Sequence, residues 1–590
     1  MKGRDQVKRN HGRDKTGNRK WLLILTLVMV TLMIRSTQAL IDFPKGVFTS
    51  PLKIPLLLAG NFGEIRNNHF HAGIDIKTMS QEGQPVSSIA DGYVSRINIS
   101  SRGYGKCLYI THPNGYTSVY AHLREFNGDV ATYVKNKQYE LESFEMDITL
   151  SEDEVPVSGG QVVAYSGNTG SSAGPHLHFE IRETYTEFPV NPLLFGYDIR
   201  DDISPVISSF KVYPIGPSSF VDGRNDSKRF GLYGSRGNYS AGTVRAHGDI
   251  GIAIETRDVM NNTSNTQGIF SIELRIDEEK IFYHDLDRFG FHETRYINSL
   301  VDYHEKMHTG RVLQKCFIDP NNRLSTYKDV VNRGVFRITD DTVHKAEIIV
   351  KDVAGNTSRL SFDILDPGPP PAQNEASLEA PVTAVFPYQK VNTFTSEGIT
   401  LEMPVNCIYD TLRFVYNAGP PVPGAWSVTH EIHRTDVPVH TPYQLRLLAS
   451  DLPERLHEKA LIAMVNDQGY RNYQGGTFAN DWITCQVRTF GSFAVLVDET
   501  PPGISAINIY NGKNMKGTPW IRMRISDNLS GIQSYRGTID DQWILMEYDQ
   551  KTHTLAHMFE EELAEGEHEF KLVVTDNRNN TKDFTAKFTR

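Results

Sequence analysis

Along residues 40–200, apolar side chains recur at alternate positions in short runs, as in Gly92-Tyr-Val-Ser-Arg-Ile97 and Cys107-Leu-Tyr-Ile110. Turn-forming clusters separate the runs: Pro113-Asn-Gly115, Ser158-Gly-Gly160 and Gly167-Asn-Thr-Gly170. A period of two broken by Gly, Pro and Asn predicts many short strands, hence an antiparallel sheet or barrel-like β domain. After about residue 200 the pattern repeats. Ile207-Ser-Ser-Phe-Lys-Val-Tyr213 returns as Ile504-Ser-Ala-Ile-Asn-Ile-Tyr510, each behind an acidic, Pro-containing lead-in: Asp201-Asp-Ile-Ser-Pro205 and Asp498-Glu-Thr-Pro-Pro502. The two copies also close alike, with Ile348-Ile-Val-Lys-Asp-Val-Ala-Gly-Asn-Thr357 matched by Phe570-Lys-Leu-Val-Val-Thr-Asp-Asn-Arg-Asn-Asn-Thr581. An alternating strand, an Asp/Asn-rich turn and a second strand predict a hairpin, and repetition of both ends predicts two copies of one β-sandwich type. The first copy is longer, with an insertion around 280–335.

Between the copies lies Asp366-Pro-Gly-Pro-Pro-Pro371, a stiff linker because consecutive prolines cannot sit inside a sheet. Long amphipathic helices are scarce, and residues 451–460 are the best short candidate. The expected fold is mainly β: an antiparallel β domain at 40–200, a β-sandwich module with an insertion at 201–366, a Pro-rich linker at 367–381, a β-rich domain at 382–497 and an Ig-like sandwich at 498–590. In all, about three sandwich modules follow the first domain.

At the N-terminus a basic stretch (Lys2 to Lys20) precedes the apolar run Trp21–Ile34, and small residues follow at Thr37 and Ala39. Fourteen apolar residues are short for a spanning helix, which needs about 20. The segment 1–39 reads as a secretory signal cut after Ala39, with an uncleaved anchor as the alternative. Either way the bulk of the chain is exported, to the periplasm or cell envelope. Charge adds to this. The chain carries 61 Lys/Arg and 71 Asp/Glu, but the first 39 residues hold nine and two of these, which leaves 52 basic and 69 acidic residues, a net charge of −17, in the remainder. Such a chain does not suit nonspecific nucleic-acid binding. None of the four cysteines forms a C-x-x-C pair, so a cysteine zinc site is not expected. Cys407 and Cys485 are the one pair considered for a disulfide, with buried free thiols the plainer reading.

Three histidine-bearing segments carry candidate chemistry: His69-Phe-His71-Ala-Gly73-Ile-Asp75-Ile76, Tyr120-Ala-His122-Leu123 and Gly174-Pro-His176-Leu-His178-Phe-Glu180-Ile181. In a strand, His176 and His178 project from one face while Leu177, Phe179 and Ile181 point into a core. Taken alone, that pair fits structural histidines equally well. Asp75 sits in a second alternating run, and Gly73 lets the backbone pass close to a neighbour. One His and one Asp from the first segment with one His from the third would supply three ligands to a zinc ion and leave a fourth position open.

The patterns H-x-G-x-D, Y-A-H-L and G-x-x-x-G-P-H-L-H-F-E, in this order between about Gly63 and Pro192, resemble the lysostaphin-type (LytM-type) zinc metallopeptidases. The resemblance implies His71, Asp75 and His178 as ligands of one Zn2+, and His122 and His176 as the catalytic histidines. It implies a zinc metalloendopeptidase whose partners are peptidoglycan stem peptides, with action on direct cross-links the favoured bond. A noncatalytic envelope scaffold or regulator of another wall hydrolase is the second reading, and a peptidase for proteins the third. The modules imply envelope protein partners, and a membrane only if the N-terminal segment stays uncleaved. Two features depart from the family. An acidic stretch at about 127–156 is longer than in a minimal member and reads as a solvated insertion or a lid. No tyrosine lies between Asn61 and His71, where some relatives place one near the site. His69 and His112 read as support or turn residues, and His430, His433 and His440 as surface or structural histidines. Asp258, Asp352 and Asp576 read as ordinary hairpin-turn residues, with calcium binding by the Asn/Asp-rich turns as the alternative.

Overall fold

The computed structural model describes residues 43–370, 382–559 and 563–590. The expected signal segment and most of the Pro-rich linker lie outside these residues. Among the described residues no helix is long and apolar enough to cross a membrane, and all four cysteines are buried free thiols.

The first domain is built on strands β1 (Leu58–Gly60), β2 (Ile74–Lys77), β3 (Pro85–Ser87), β4 (Gly92–Ile99), β5 (Lys106–Thr111) and β6 (Tyr116–Phe126). A helix, α1 (Gly128–Leu141), follows, then β7 (Met146–Thr149), β8 (Pro156–Val157), β9 (Val162–Ser166), β10 (His176–Glu183) and β11 (Pro189–Val190). All eleven strands belong to one sheet, whose main path runs β1-β2-β10-β6-β5-β4-β7. The alternation read from the sequence sorts its two faces. Ile74, Ile76, Tyr120, Leu177, Phe179 and Ile181 are buried on one. The Tyr120 hydroxyl is satisfied there, accepting from the Ile89 amide at 3.0 Å. Polar His and Asp side chains occupy the other face.

The acidic stretch after Asn127 is not a featureless loop. It forms α1, whose buried Val130, Val134 and Gln138 pack inward, and then β7 and β8, which pair with β4. In the sheet order β7 stands at the opposite edge from β1 and β2, so the stretch extends the sheet far from the histidine segments. The helix was not legible because its apolar spacing is thin.

Every later segment is strand-rich, in keeping with the mainly β expectation. A 14-stranded sheet system spans Val206–Leu365, around a core that includes Phe210, Ile252, Ile272, Phe282 and Ile348. Two five-stranded sheets between Asn392 and Val497 enclose Leu401, Phe414, Leu445, Phe490 and Phe493. A four- and a five-stranded sheet between Gly503 and Thr589 enclose Met523, Ile525, Phe570 and Phe588. The repeated closing motifs are antiparallel hairpins, Val343–Lys351 with Thr357–Leu365 and Glu567–Asp576 with Thr581–Thr589. The short helix candidate is a 3-10 helix at Glu454–Lys459.

The insertion near 280–335 has a definite task in the packing. It supplies Phe289, Tyr296, Ile297, Leu300 and Leu324 to an apolar cluster with Phe62, Phe70 and Ala72. The rings of Phe62 and Phe70 lie 5.0 and 5.2 Å from that of Phe289. The loop that bears His71 is therefore wedged against the following module. It is also pinned there by polar bonds. The Asn61 side chain donates to the Gly268 carbonyl at 2.8 Å and accepts from its amide at 2.7 Å, and the Thr294 hydroxyl accepts from the Phe70 amide.

Candidate metal centre

Strand register brings the three segments together. On β10, His178 lies opposite Asp75 of β2 on one side and opposite Ala121 of β6 on the other. Gly73 makes the approach of β2 feasible: a Cβ there would stand 2.3 Å from the Phe179 carbonyl oxygen and 2.8 Å from Glu180 Cγ. This is the close neighbour that the glycine anticipated.

His71 Nε2, His178 Nδ1 and Asp75 Oδ1 converge. The nitrogens are 3.0 Å apart, and they lie 3.0 and 2.9 Å from the carboxylate oxygen. All three residues are buried. Their outer atoms are occupied in ways that fix orientation. His71 Nδ1 donates to the Asn61 carbonyl at 2.7 Å, which leaves Nε2 with its lone pair toward the cluster. His178 Nε2 donates to Glu180 Oε1 at 2.8 Å, which leaves Nδ1. Asp75 Oδ2 accepts from Arg66 at 2.5 Å, which leaves Oδ1. Two lone-pair nitrogens and one carboxylate oxygen at this spacing are mutually repulsive unless a cation or proton lies between them. Donors at about 2.0–2.2 Å from a tetrahedral zinc ion stand roughly 3.3 Å apart, so the trio fits that ion. Histidines oriented by a carboxylate and a backbone carbonyl through their far nitrogens are the arrangement metal ligands commonly have.

The electrostatics within the trio pull in opposite directions. Burial pushes His71 down to about 4 despite the neighbouring Asp75. Burial also opposes charge on His178, but its hydrogen bonds to Asp75 and Glu180 win and hold it up at about 9. Asp75 lies well below the usual carboxylate range: burial alone would raise it, and contacts with His71, His176 and His178 overcome that.

His122 and His176 stand beside the trio. Their ring centroids are 4.8 Å apart, and that of His122 is 5.8 Å from His178. Each presents Nδ1 to a backbone carbonyl, His122 to Thr169 at 2.9 Å and His176 to Gly174 at 2.8 Å, so Nδ1 is the donor of each ring and Nε2 faces the site. His176 Nε2 lies 3.4 Å from Asp75 Oδ1. Burial lowers His122 to about 3, helped by the nearby His178 and His176, so it is neutral at ordinary pH.

His122 reaches this face by a backbone irregularity. Since Ala121 opposes His178, strict alternation would point His122 away. Instead His122 has a left-handed φ of 58°, and the register slips just beyond it, where β6 leaves β10 and pairs with β9. A non-glycine residue in that region costs about 1–3 kcal/mol and is held there only by its surroundings. Here the His122 amide donates to the Tyr104 carbonyl at 2.9 Å.

Five expected residues are thus brought together. Others named in the sequence fall elsewhere. His69 is exposed and bonded to the Asn67 carbonyl. His112 is buried between the Asp91 carbonyl and the Ser118 hydroxyl. His430 and His440 meet tyrosine hydroxyls at Tyr416 and Tyr409 in the later modules. Sequence reasoning missed Glu180, Arg66 and Tyr104. Glu180 is fully buried between His178, Arg182 and the Tyr104 hydroxyl, and burial alone would raise it, yet Arg182 and His178 hold it down to about 2. Its position two residues after His178 on the same strand face was a usable signal. Tyr104 stacks on His178 with centroids 5.1 Å apart, and no local pattern marked it.

The far side of the site is reached by the last module. Lys551 Nζ donates to the carbonyls of Asn168 and, at 3.3 Å, Ser172, in the turn that orients His122 and His176. Lys106 Nζ meets Glu547 at 2.8 Å and Arg102 meets Gln550 at 2.7 Å along the same border.

Comparison with known proteins fits this geometry. Peptidase family M23 matches residues 69–139 and 144–192, and a Zu5-like domain matches residues 383–498. The DD-carboxypeptidase/endopeptidase Mpg of Neisseria meningitidis serogroup B (strain ATCC BAA-335 / MC58) is 35% identical over 123 residues, 21% of this chain and 22% of that protein. The murein hydrolase activator NlpD of Escherichia coli (strain K12) is 34% identical over 123 residues, 21% of this chain and 25% of that protein. The catalytic domain of lysostaphin from Staphylococcus simulans matches at 23% identity, covering 24% of this chain and 91% of that one, with a TM-score of 0.18. The chain spans about a quarter or less of the length of these curated relatives. Motif order, strand register and the matched residues agree, and the N-terminal β domain of this chain is a peptidase family M23 domain of the LytM metallopeptidase type.

Proposed function

We propose that this chain is an exported zinc metalloendopeptidase that hydrolyses peptide cross-links of peptidoglycan during wall remodelling. The observation that carries the reading is the convergence of five side chains on one sheet face, three placed as ligands and two as oriented imidazoles. In this proposal His71, Asp75 and His178 hold the ion, and His122 and His176 are the catalytic residues. Zinc held there supplies Lewis acidity. The chain's own part is proton handling and positioning. One imidazole Nε2 accepts the proton of the attacking water, and the other, once protonated, donates to the oxyanion or the leaving amine. Fixing Nδ1 of both rings on carbonyls keeps each Nε2 aimed at the same small volume. Similarity to a protein named as a DD-carboxypeptidase/endopeptidase favours direct D-amino-acid cross-links as the substrate.

The proposed organisation keeps a signal or anchor at 1–39, the peptidase at 40–200, and Ig-like or related β modules at 201–366, 382–497 and 498–590, which offer surfaces to envelope partners. Location in the periplasm or cell envelope belongs to the same proposal. A second reading, a noncatalytic regulator of another wall hydrolase, is favoured by the similarity to a protein named as a hydrolase activator.

Digestion of purified peptidoglycan by the zinc-loaded chain, read by mass spectrometry of released fragments, separates the two. The proposal expects new peptide ends that vanish with a chelator and in His178→Ala. Stoichiometric zinc with no cleavage overturns it in favour of the regulator.

A further inference from the structure

The repeated modules each bring three aspartates together: Asp201, Asp258 and Asp352 in the first copy, Asp498, Asp527 and Asp576 in the second. The layouts correspond. One aspartate comes from the acidic lead-in, one from the end of a core strand, and one from the closing hairpin turn. In both hairpins an Asn four residues on (Asn356, Asn580) bonds the turn aspartate and reaches the lead-in backbone, at the Asp201 and Asp498 carbonyls.

The copies differ in degree: two buried carboxylate oxygens lack a hydrogen-bond partner in the first copy and one, Asp527 Oδ1, in the second. In the second, Asp498 accepts from the amides of Thr500 and Ser530, and Asp576 from those of Arg578 and Asn580 and from the Asn580 side chain. In the first, Asp201 Oδ2 and Asp258 Oδ1 are buried with no hydrogen-bond partner. Asp258 is 1% exposed and lies at the end of the strand Val244–Val259, and one carboxylate oxygen of each of the three residues lies within 4.8 Å of the others. Burial, then Asp201 and Asp352, push Asp258 up to about 8, and burial lifts Asp201 to about 6. Three carboxylates gathered together, two of them with buried unpaired oxygens, need either protons or a hard cation.

We infer that Asp201, Asp258 and Asp352 form a binding site for a calcium-class divalent cation at the junction between the peptidase domain and the first repeated module. The donor set is oxygen-only, as such ions require, and it leaves room for carbonyl or water ligands to complete six to eight. Its place in the fold gives it a structural consequence. The loop that follows Asp258 carries Thr263, whose hydroxyl bonds the Leu58 carbonyl and Lys77 of the peptidase sheet, and Gly268, which clamps Asn61. A cation at Asp258 therefore ties down the root of the loop that braces the His71 segment.

The test is direct ion binding, independent of any peptidase activity. The full chain, freed of calcium and kept saturated with zinc so that the histidine centre is filled, is titrated calorimetrically with calcium. Comparison is with Asp258→Asn, which mimics the protonated carboxyl in shape and charge, and with Asp201→Asn at the partly exposed position should the first variant fold poorly. The expected result is one more calcium per chain in the wild type than in either variant, with a dissociation constant at or below about 10⁻³ M, the range of extracellular modules. Calcium uptake equal in wild type and variants, or none at millimolar calcium, overturns the inference and leaves a shared proton as the occupant.

Discussion

On the side of β1 and β2, the loop carrying His71 is wedged against the next module by buried Phe62, Phe70 and Phe289 and clamped by both ends of the Asn61 side-chain carboxamide on Gly268. On the opposite side, the turn whose carbonyls orient His122 and His176 is reached across a module border by Lys551, with Arg102 and Lys106 pairing nearby. The first brace is mainly apolar and buried, and the second is polar and largely exposed, with Lys106 its buried member. Apolar burial scales with area and is indifferent to salt, whereas charged surface contacts are worth little and are screened. The ligand half of the site is thus built into the fold together with its neighbouring module, while the histidine-pair half rests on a contact that can open at little cost.

The largest effect that can break this comparison comes from the ligands. Asp75→Ala or His178→Ala is expected to abolish both zinc binding, read by elemental analysis, and fragment release from peptidoglycan. Retained zinc in either variant would remove that residue from the ligand set. Next, His122→Ala and His176→Ala are expected to keep zinc and to lose about 10²–10⁴-fold in rate, the range for a general acid or base. Their separate pH–rate profiles assign which ring acts as base. Loss of zinc in either variant would merge the two halves.

Two smaller effects sharpen the difference in bracing. Phe289→Ala removes a buried ring under the His71 loop and is expected to cost about 3–5 kcal/mol of stability by denaturant titration, with weaker zinc retention and no dependence on salt. Glu180→Gln is expected to lower zinc affinity about 10–100-fold, as for other partners of metal-bound histidines, and to lower the melting transition as well, because it leaves the buried Arg182 without its carboxylate. The smallest is Lys551→Ala, worth about 1 kcal/mol or less. Its effect on rate is expected to fade as ionic strength rises. A Lys551→Ala effect as large as that of Phe289→Ala would show that the two braces are equivalent.

Much of the site could be read in advance because strands make side-chain direction a matter of parity. The i, i+2 pair His176 and His178 had to share a face opposite Leu177 and Phe179, and the same rule reaches Glu180. Gly73 announced a close approach whose partner, the Phe179 carbonyl, only β2–β10 pairing supplied. His122 defeats the rule. Its left-handed backbone and the slip of β6 from β10 to β9 turn a side chain that alternation would point away. The acidic stretch after Asn127 also escaped, since a helix of weak amphipathic spacing resembles solvated loop until packing selects it.

By itself, then, the sequence determined the mainly β class, the repeated hairpins and the chemical identity of the five candidate residues, because period-two patterning and residue type are local properties. Tertiary structure decided the rest. It chose which nitrogen of each imidazole faces the cluster, by placing Asn61, Glu180, Thr169 and Gly174 at the other. It brought Tyr104 over His178 and Arg66 onto Asp75, and it gathered Asp201 to Asp258 and Asp352. Some of these contacts are local, but Tyr104 with His178 and Asp201 with Asp258 and Asp352 join residues far apart in the chain, and only closure of the sheet and docking of the modules, driven by burial of apolar area, sets that they meet.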